Sequence, residues 1–385
     1  GIIQGDRGVQ GTGVLLSQDS EGENIFITNL EATTHNLALY GSNTIDLDNA
    51  TSVNISGRWN WASLKMDDQY SSALEGHHFF NEFNPGVGVT RKLGNTKVFG
   101  DSSFYATYKE SSRTPSVAEL GCADPDQPCR LPNSFQADPP LDQVKNRSFE
   151  IGARGITNNY KFFGMNHRVK WDATAFAGRN YNDIIFIGGN RVGTGYFRNV
   201  GNTQRMGTEL GFSGKLGENW TWYSNYSYVR ASFETHQKIA SAGHSENPFS
   251  CEGPEEYGAN AAGDTSAEAD QESCESNEAY QIQVGPGDAI PGISPHIGRI
   301  GIGFSPNDRL NLFVDTEYNS QQFYRGDENN AEGRQVPGYF LLNASAEYTI
   351  TNVNPVIGLS TVFFIEARNL LDTNFETGGI LAENE

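Results

Sequence analysis

The chain has 385 residues, a formal net charge of −20 and 11% aromatic residues. This excess of acids argues against a nucleic-acid partner, because binding phosphate requires concentrated Lys and Arg. A helical membrane protein is excluded, since no run of about eighteen apolar residues occurs, whereas a barrel of strands stays possible because only alternate residues of such strands meet lipid.

The first 24 residues are rich in glycine and predict only a loop or a partial strand. After them, polar turn signals recur between runs in which apolar and polar residues alternate. In the run 97–109, for example, Phe104, Ala106 and Tyr108 fall on one face and Thr107 on the other. The turn signals lie at 48–49, 93–96, 158–159, 216–219, 305–308 and 352–355. This pattern predicts a meander of about thirteen strands joined in β-hairpins.

Long polar connections join the opposite ends of these strands, at 67–79, 110–145, 234–295 and 321–336. Short turns on one rim and long loops on the other are typical of an outer-membrane barrel. Trp220, Trp222, Tyr226 and Tyr228 lie on one face of a strand, as an aromatic belt at a membrane surface would. A soluble sandwich shows the same alternation, so that alternative stays open.

The run 337–350 carries the clearest alternation of apolar and polar residues. On a barrel wall, its apolar positions are expected to face outward and its polar positions inward. The outward set is Leu342, Ala344, Ala346 and Tyr348, and the inward set is Asn343, Ser345 and Glu347.

The four cysteines fall in two local pairs inside predicted loops. We expect the disulfides Cys122–Cys129 and Cys251–Cys274, because each pair closes a short loop in an oxidising space. A metal site at these cysteines would require C-x-x-C spacing or nearby histidines, and the sequence has neither.

The sequence lacks the common catalytic signatures, including GxSxG, HExxH, Walker A and a GxGxxG before a helix. Carboxylates such as Asp315 and Glu317 share a strand face, but a wet barrel lumen requires polar residues there. We therefore predict no enzyme, catalytic residue, cofactor or metal site. A glycosidase or carbohydrate-binding β-protein is the alternative from another class, and it predicts a protein that stays soluble without detergent.

Several motifs resemble those of the TonB-dependent outer-membrane receptors. Arg113-Thr-Pro-Ser-Val-Ala-Glu-Leu120 is similar to their R-x-P-x-x-x-E-L loop, and Cys122-Ala-Asp-Pro with Pro128-Cys-Arg-Leu-Pro-Asn133 is similar to a version found in a subset of them. Arg198-Asn-Val-Gly-Asn-Thr203 with Gly207-Thr-Glu-Leu-Gly211 resembles their N-x-G-x-x-x-x-x-G-x-E hairpin. Ile290-Pro-Gly-Ile-Ser-Pro295, Tyr324-Arg-Gly-Asp-Glu-Asn329 and Glu366-Ala-Arg-Asn-Leu-Leu-Asp372 fall where the family has them.

The resemblance implies an all-β fold, an antiparallel transmembrane β-barrel of about 22 strands with short periplasmic turns and long extracellular loops. Residues 1–385 are expected to form part of that barrel domain. The family's separate plug domain and TonB box are not found before Gly1, and its final strand is not found after Glu385, so we expect a fragment. The expected location is the Gram-negative outer membrane, and the expected partners are its lipid and lipopolysaccharide, the TonB system through the plug, and an extracellular ligand.

Members of the family take up ferric siderophores, haem, cobalamin, copper or oligosaccharides. We predict uptake of a ferric siderophore or similar metal chelate, with carbohydrate import as the alternative. Their position in an outer loop predicts a ligand-binding role for Tyr324, Arg325 and Asp327. An Arg pairs with carboxylates and a Tyr stacks on aromatic rings. The same segment also fits a loop-folding motif in which Arg325 and Asp327 pair. His77 and His78 are expected in another outer loop, either as ligands of a metal or haem or as solvated side chains.

No Lys or Arg occurs between Lys238 and Arg299, where acids accumulate. Such a loop attracts a cation or a cationic chelate. The alternative is a solvated loop that holds divalent ions against lipopolysaccharide phosphates. The acids are Glu252, Glu255, Glu256, Asp264, Glu268, Asp270, Glu272, Glu275 and Glu278.

Overall fold

The structure is a computed structural model. It describes residues 5–10, 15–18, 24–26, 30–69, 72, 74–96, 99–123, 129–130, 141–162, 164–188, 194–241, 243–245, 281–354 and 359–381. The acidic segment 252–278 and the cysteines Cys251 and Cys274 lie outside these residues.

Strands make up most of the described chain. In order they are β1 (Gly5–Gln10), β2 (Leu15–Gln18), β3 (Asn24–Phe26), β4 (Leu30–Asp46), β5 (Thr51–Asp68), β6 (Gly76–Thr96), β7 (Gly100–Arg113), β8 (Cys129–Arg130), β9 (Val144–Phe162), β10 (Met165–Tyr181), β11 (Ile184–Gly188), β12 (Thr194–Asn199), β13 (Thr203–Leu216), β14 (Trp220–Phe233), β15 (Gln237–Ala240), β16 (Gln281–Val284), β17 (His296–Asn307), β18 (Leu310–Asn319), β19 (Gln322–Phe323), β20 (Gln335–Val336), β21 (Tyr339–Asn354) and β22 (Leu359–Ala367). One short helix, α1 (Val117–Leu120), lies between β7 and β8.

Thirteen strands form one antiparallel sheet, which we call the wall. Its order is β1, β4, β5, β6, β7, β9, β10, β13, β14, β17, β18, β21 and β22. Each wall strand pairs only with the wall strands before and after it, so the predicted meander of about thirteen strands is confirmed. Among the described residues the sheet is open, and β1 and β22 are its two edges.

Successive residues of a wall strand point to opposite faces, and the register aligns like residues in rows across the sheet. One row contains Trp222, Ile302, Val314 and Ala344. The neighbouring row, on the opposite face, contains Tyr223, Gly301, Asp315 and Asn343. The Asn343 side-chain amide donates to the Asp315 carboxylate at 3.1 Å. The predicted outward and inward sets of β21 therefore lie on opposite faces, as expected.

The apolar face of the wall is exposed. Ile300 is 54% exposed, although an isoleucine at the centre of a soluble sandwich would be buried. Many other large side chains share this face and are also exposed, which excludes the sandwich alternative. They include Leu39, Ile55, Phe83, Val87, Phe104, Phe149, Ile151, Phe212, Ile302 and Val314.

Aromatic side chains border the exposed apolar face at both rims. Near the short turns, the Trp220 and Phe304 rings are 4.4 Å apart. Near the long loops, Tyr228 lies 5.0 Å from the His296 ring. The eight residue steps from Trp220 to Tyr228 span about 27 Å along the strand, or about 20 Å across a tilted wall, which approaches the apolar height of outer-membrane barrels.

The short turns lie on one rim, as predicted, but two turn signals mark other features. Residues 158–159 lie inside β9, where Thr157 pairs with Val169 and Tyr160 pairs with His167. Leu93 similarly interrupts the register between Lys92 and Gly94. Both are β-bulges, and turn-forming residues suit a bulge for the same backbone reason that they suit a turn.

The connections at the other rim fold into small sheets of their own. The sheets are β8 with β11 and β12, β15 with β16, and β19 with β20. The connection 182–202, which holds β11 and β12, is absent from the predicted set of long loops because its run of isoleucines looks like a wall strand.

Two apolar cores lie in this loop layer. One contains Leu64, Met66, Leu120 and Ile184 with six other buried residues. The other packs Phe233 and Ile239 with eight more. The loops are therefore folded structure, and they can hold side chains in fixed positions. None of the helices in the described residues is long and apolar enough to cross a membrane.

Candidate functional site at the loop rim

The segment 324–332 lies in the connection between β18 and β21, and later residues fix its backbone. The Arg325 amide donates to the Gly379 carbonyl at 3.0 Å, and the Leu381 amide donates to the Arg325 carbonyl at 2.8 Å. Tyr324 is half-buried, and its ring lies against Gly379. The Arg325 residue is exposed. A fixed backbone therefore holds Arg325 at the rim, where its guanidinium has no ion pair or hydrogen bond with another residue that the structure describes.

Asp327 has a different role from the predicted one. Its side chain is completely buried, so it does not face a ligand at the rim. It does not pair with Arg325 as the loop-folding alternative proposed. Instead, its carboxylate lies 3.4 Å from Nε2 of His244, which is also buried. Asp327 therefore has a folding role, but its partner is a histidine from another loop and not Arg325.

A cluster of acids surrounds His244, which we call the acid cluster: Asp327, Glu328 and Glu332. Nε2 of His244 lies 2.8 Å from the Asn329 side-chain oxygen, and its Nδ1 lies 3.6 Å from Glu332. Glu332 also accepts a hydrogen bond from the Ser245 amide. These contacts join the connection after β14 to the connection after β18.

Burial dominates the electrostatics of the acid cluster. Burial raises the pKa of Glu328 to about 7, against 4.5 for an ordinary glutamate, and it also raises the pKa of Asp327. One carboxylate oxygen of each residue is buried without a hydrogen-bond partner among the described residues. For Glu332, burial acts in the same direction, but hydrogen bonds from Ser245 prevail and lower its pKa.

We expect the loop 324–332 to open more readily at high pH. Because the folded-state pKa of Glu328 is raised, its proton stabilises the closed loop fully below about pH 4.5, and this stabilisation is lost as the pH rises through about 7. Between pH 5.5 and 8 the change is about 2 kcal/mol. Hydrogen exchange of the loop amides, corrected for intrinsic rates, measures it.

Glu328→Gln is the control for this pH effect, since the amide keeps the shape of the side chain without titrating. In Glu328→Gln we expect the loop amides to keep most of their protection from hydrogen exchange at both pH 5.5 and pH 8. Equal protection of the unmodified loop at pH 5.5 and pH 8 would contradict the prediction.

His77 and His78 belong to strand β6 and not to a loop. Their side chains point to opposite faces of the wall, so they cannot bind one metal ion together. His77 shares the apolar face with Phe79, whose ring is 4.1 Å away, and hydrogen-bonds Ser63 at 3.0 Å. The connection predicted at 67–79 is shorter in the structure, because the apolar pair Phe79-Phe80 extends strand β6. No group of three or more metal-ligating side chains occurs in the described part of the chain.

The motif around Arg113 is a folding element of the rim. Arg113 binds both carboxylate oxygens of Glu119, at 2.9 and 2.7 Å. Glu119 also accepts from the Ser116 amide at 2.7 Å, and the Ser116 hydroxyl accepts from the Glu119 amide, which completes a capping box for α1. Leu120 is completely buried in the first loop core.

The connection between β10 and β13 contains the motif around Asn199, and hydrogen bonds to Asp183 close it. Asp183 is buried and accepts from the Thr203 hydroxyl at 2.5 Å, from the Asn180 amide at 3.0 Å and from Arg205 at 3.1 Å. Burial alone would raise the pKa of Asp183, but these three donors lower it. Asp183 was not predicted from the sequence, because its partners come from two strands and their connection.

The cysteines are described only in part. Cys122 is bonded in a disulfide. Its carbonyl accepts from the Phe197 amide in β12, and Gly195 of the same strand pairs with Cys129. The side chains of Cys129, Cys251 and Cys274 lie outside the described residues, so both predicted pairings stay predictions.

Long in-register strands, an exposed apolar face between two aromatic belts, short turns on one rim and folded loops on the other define an outer-membrane β-barrel protein. The chain belongs to the TonB-dependent receptor family, since residues 9–370 match the family described as "TonB dependent receptor-like, beta-barrel". The predicted fold class and outer-membrane location are thereby confirmed.

Solved structures with a similar fold include the copper transporter OprC, with a TM-score of 0.57 and 17% identity over 90% of this chain and 43% of that chain. The siderophore receptor PiuA from Acinetobacter baumannii has a TM-score of 0.59 and 16% identity over 91% of this chain and 41% of that one. The ferric-catecholate import receptor Fiu from E. coli has a TM-score of 0.56 and 15% identity, covering 93% and 43%. The chain thus spans less than half the length of these proteins. No curated protein matches the sequence.

Proposed function

We propose that the full-length protein imports a ferric siderophore or a similar metal chelate across the outer membrane, using energy delivered by TonB. The family supports TonB-dependent transport, and the proteins of similar fold include a copper transporter, a siderophore receptor and a ferric-catecholate import receptor. In this proposal a plug domain outside the described chain fills the lumen and couples the wall to TonB. Lipid and lipopolysaccharide surround the apolar face.

The exposed Arg325 on its fixed backbone is the observation that carries the choice of ligand. A guanidinium is a permanent cation with a planar set of donors, which suits the carboxylate or catecholate oxygens of a chelate. Because contacts on both sides hold the backbone of Arg325, little backbone entropy is lost when a ligand binds. Tyr324 contributes an aromatic surface beside it. The proposed site does not include Asp327, His77 or His78.

We also propose the disulfides Cys122–Cys129 and Cys251–Cys274 as supports for the loop layer. The backbone contacts of Cys122 and Cys129 with the same strand, β12, favour the first pair. Mass spectrometry of the full-length protein under non-reducing conditions tests both pairings, and free thiols would count against them.

The function is tested in the organism and in the purified full-length receptor. Synthesis of the receptor should rise when iron, copper or cobalamin is limiting, and the purified protein should bind the corresponding chelate. Arg325→Ala should weaken that binding about tenfold, the value of one charge-assisted hydrogen bond. Arg334→Ala is the matched control, because Arg334 is an exposed cation of the same connection with a distant 3.7 Å contact to Glu332.

Induction by a sugar together with indifference to every metal would overturn the chelate proposal. The oligosaccharide alternative would then take its place on the same barrel.

A further inference from the structure

Three arginines lie on the outward face of the wall, at the edge of its apolar part on the side of the long loops. We call them the arginine band: Arg147 of β9, Arg179 of β10 and Arg230 of β14. Arg147 lies two residues from Phe149, which is 50% exposed on the apolar face. Arg230 lies two residues beyond Tyr228 of the aromatic belt. Because side chains alternate along a strand, the arginine band points away from the lumen.

The register of the wall concentrates positive charge in the arginine band. Arg147 and Arg179 are directly opposite each other on neighbouring strands, and like charges at such positions destabilise a sheet. Their guanidinium carbons lie 5.2 and 5.5 Å from the centre of the Tyr181 ring. The ring offsets part of the repulsion. An anion bound by both guanidiniums would offset more of it.

Two acids meet part of this charge. Nε of Arg147 lies 3.3 Å from Glu110, and Nε of Arg179 forms an ion pair with Glu234. A guanidinium has five N–H donors, so an ion pair through Nε leaves donors for a second anion. With Arg230, three permanent cations lie beside two acids, and this part of the outward face is positive in a chain whose net charge is −20.

A recess of about 620 Å³ opens beside Arg230 on the same face. Tyr228, Tyr318 and Phe340 line its part toward the apolar face, and Arg230 and Ser320 line its part toward the loops. The Arg230 guanidinium donates to the Gly287 carbonyl at 3.5 Å and has no ion pair with an acid among the described residues. The recess is therefore apolar toward the hydrocarbon and cationic toward the lipid head groups, at the level that an aromatic belt marks.

We propose that the arginine band binds the phosphate groups of an outer-leaflet lipopolysaccharide, and that the recess beside Arg230 holds the start of one of its acyl chains. Arginine suits phosphate because its planar donors bind two oxygens at once. The outward face meets lipid, so neither a plug domain nor a chelate in the lumen reaches this site. The inference rests on the proposed lipid surroundings of the wall and not on the proposed chelate.

The test uses the purified full-length receptor in detergent micelles, freed of bound lipid, with bis-phosphorylated lipid A as the probe. Native mass spectrometry gives the dissociation constant. Replacing the whole arginine band by glutamine should weaken binding about tenfold, because each exposed charge has a modest value and two of the three already meet acids. Lipid A without phosphates should bind the unmodified receptor about tenfold more weakly, and inorganic phosphate at the concentration of the lipid should not compete.

A control variant removes three other arginines that have acidic partners away from the outward face. We expect this variant to bind lipid A with unchanged affinity. Its substitutions are Arg299→Gln, Arg334→Gln and Arg368→Gln. Electrophoresis without heating reports whether each variant forms a folded barrel. If the triple variant of the arginine band does not fold, Arg230→Gln breaks no described ion pair and should weaken binding about threefold.

Equal affinity of the unmodified receptor and the arginine-band variant for lipid A would overturn the inference. Equal binding of lipid A with and without phosphates would also overturn it. Displacement of the lipid by an equal concentration of inorganic phosphate would indicate a site for free anions and reject a lipid site. Chelate binding and its dependence on Arg325 are measured separately, so the failure of either proposal leaves the other intact.

Discussion

Replacing Ala344 by arginine will destabilise the folded receptor in a bilayer by about 1 to 2 kcal/mol, less than the cost at the bilayer midplane, because Ala344 lies one row from the aromatic belt near the short turns. Ala344 lies in the row of Trp222, Ile302 and Val314, between the two aromatic belts. A guanidinium placed there meets hydrocarbon on the apolar face. The free energy of unfolding in lipid vesicles, measured by denaturant titration, gives the effect.

Ser345→Arg is the matched control. Ser345 is the next residue along β21 and points to the opposite, polar face, beside Phe313. The same substitution should cost less than about 1 kcal/mol there, because the charge stays hydrated. Equal costs at both positions would mean that the face containing Ala344 does not meet lipid.

Removing the Asp183 side chain will cost about 3 kcal/mol of stability in the loop layer, since it leaves buried donors without an acceptor. Asp183→Ala strands the Thr203 hydroxyl, which is completely buried, and the Arg205 guanidinium. The Arg205 side chain is 38% exposed, so water offsets part of its loss and keeps the expected cost at the low end for buried pairs. Hydrogen exchange of the connection 182–202 is the measurement.

Two further variants separate the loss of the buried acceptor from the loss of its charge and from the loss of any carboxylate in this connection. Asp183→Asn keeps an acceptor for Thr203 but loses the charge, so about half the cost should remain. Asp142→Ala removes an exposed carboxylate that accepts from Asn182 at 3.1 Å, and it should change stability by less than about 1 kcal/mol. A loss in Asp142→Ala as large as in Asp183→Ala would contradict the account of a buried acceptor.

The wall was predictable from the sequence because the alternation of apolar and polar residues is a local property of each strand. Alternation assigns a face to each residue without knowledge of the partner strand, which is why Ala344 and Asn343 were placed correctly. The two wrong turns at 93–96 and 158–159 show the limit of local signals. Glycine and asparagine relieve the backbone in a turn and in a bulge alike, and only the pairing of the next strand decides between them.

Contacts at the loop rim were predictable only where both partners lie within one short motif. Arg113 and Glu119 are six residues apart and meet in the structure. Asp327 and His244 are 83 residues apart, and no spacing rule connects them. Arg168 and Lys215 show the same limit, since the register across the connection 182–202 decides that they face each other. His77 and His78 were misplaced because strand β6 starts at Gly76, inside the connection predicted at 67–79.

The meander of the wall makes its architecture modular. Because each described wall strand pairs only with its neighbours in sequence, the duplication of one whole hairpin shifts none of the remaining registers. Such a change adds two strands to the circumference and leaves every inherited residue on its original face, since the alternation has a period of two. Recombination in whole hairpin units can therefore change the circumference of the wall while the registers of the other strands are kept.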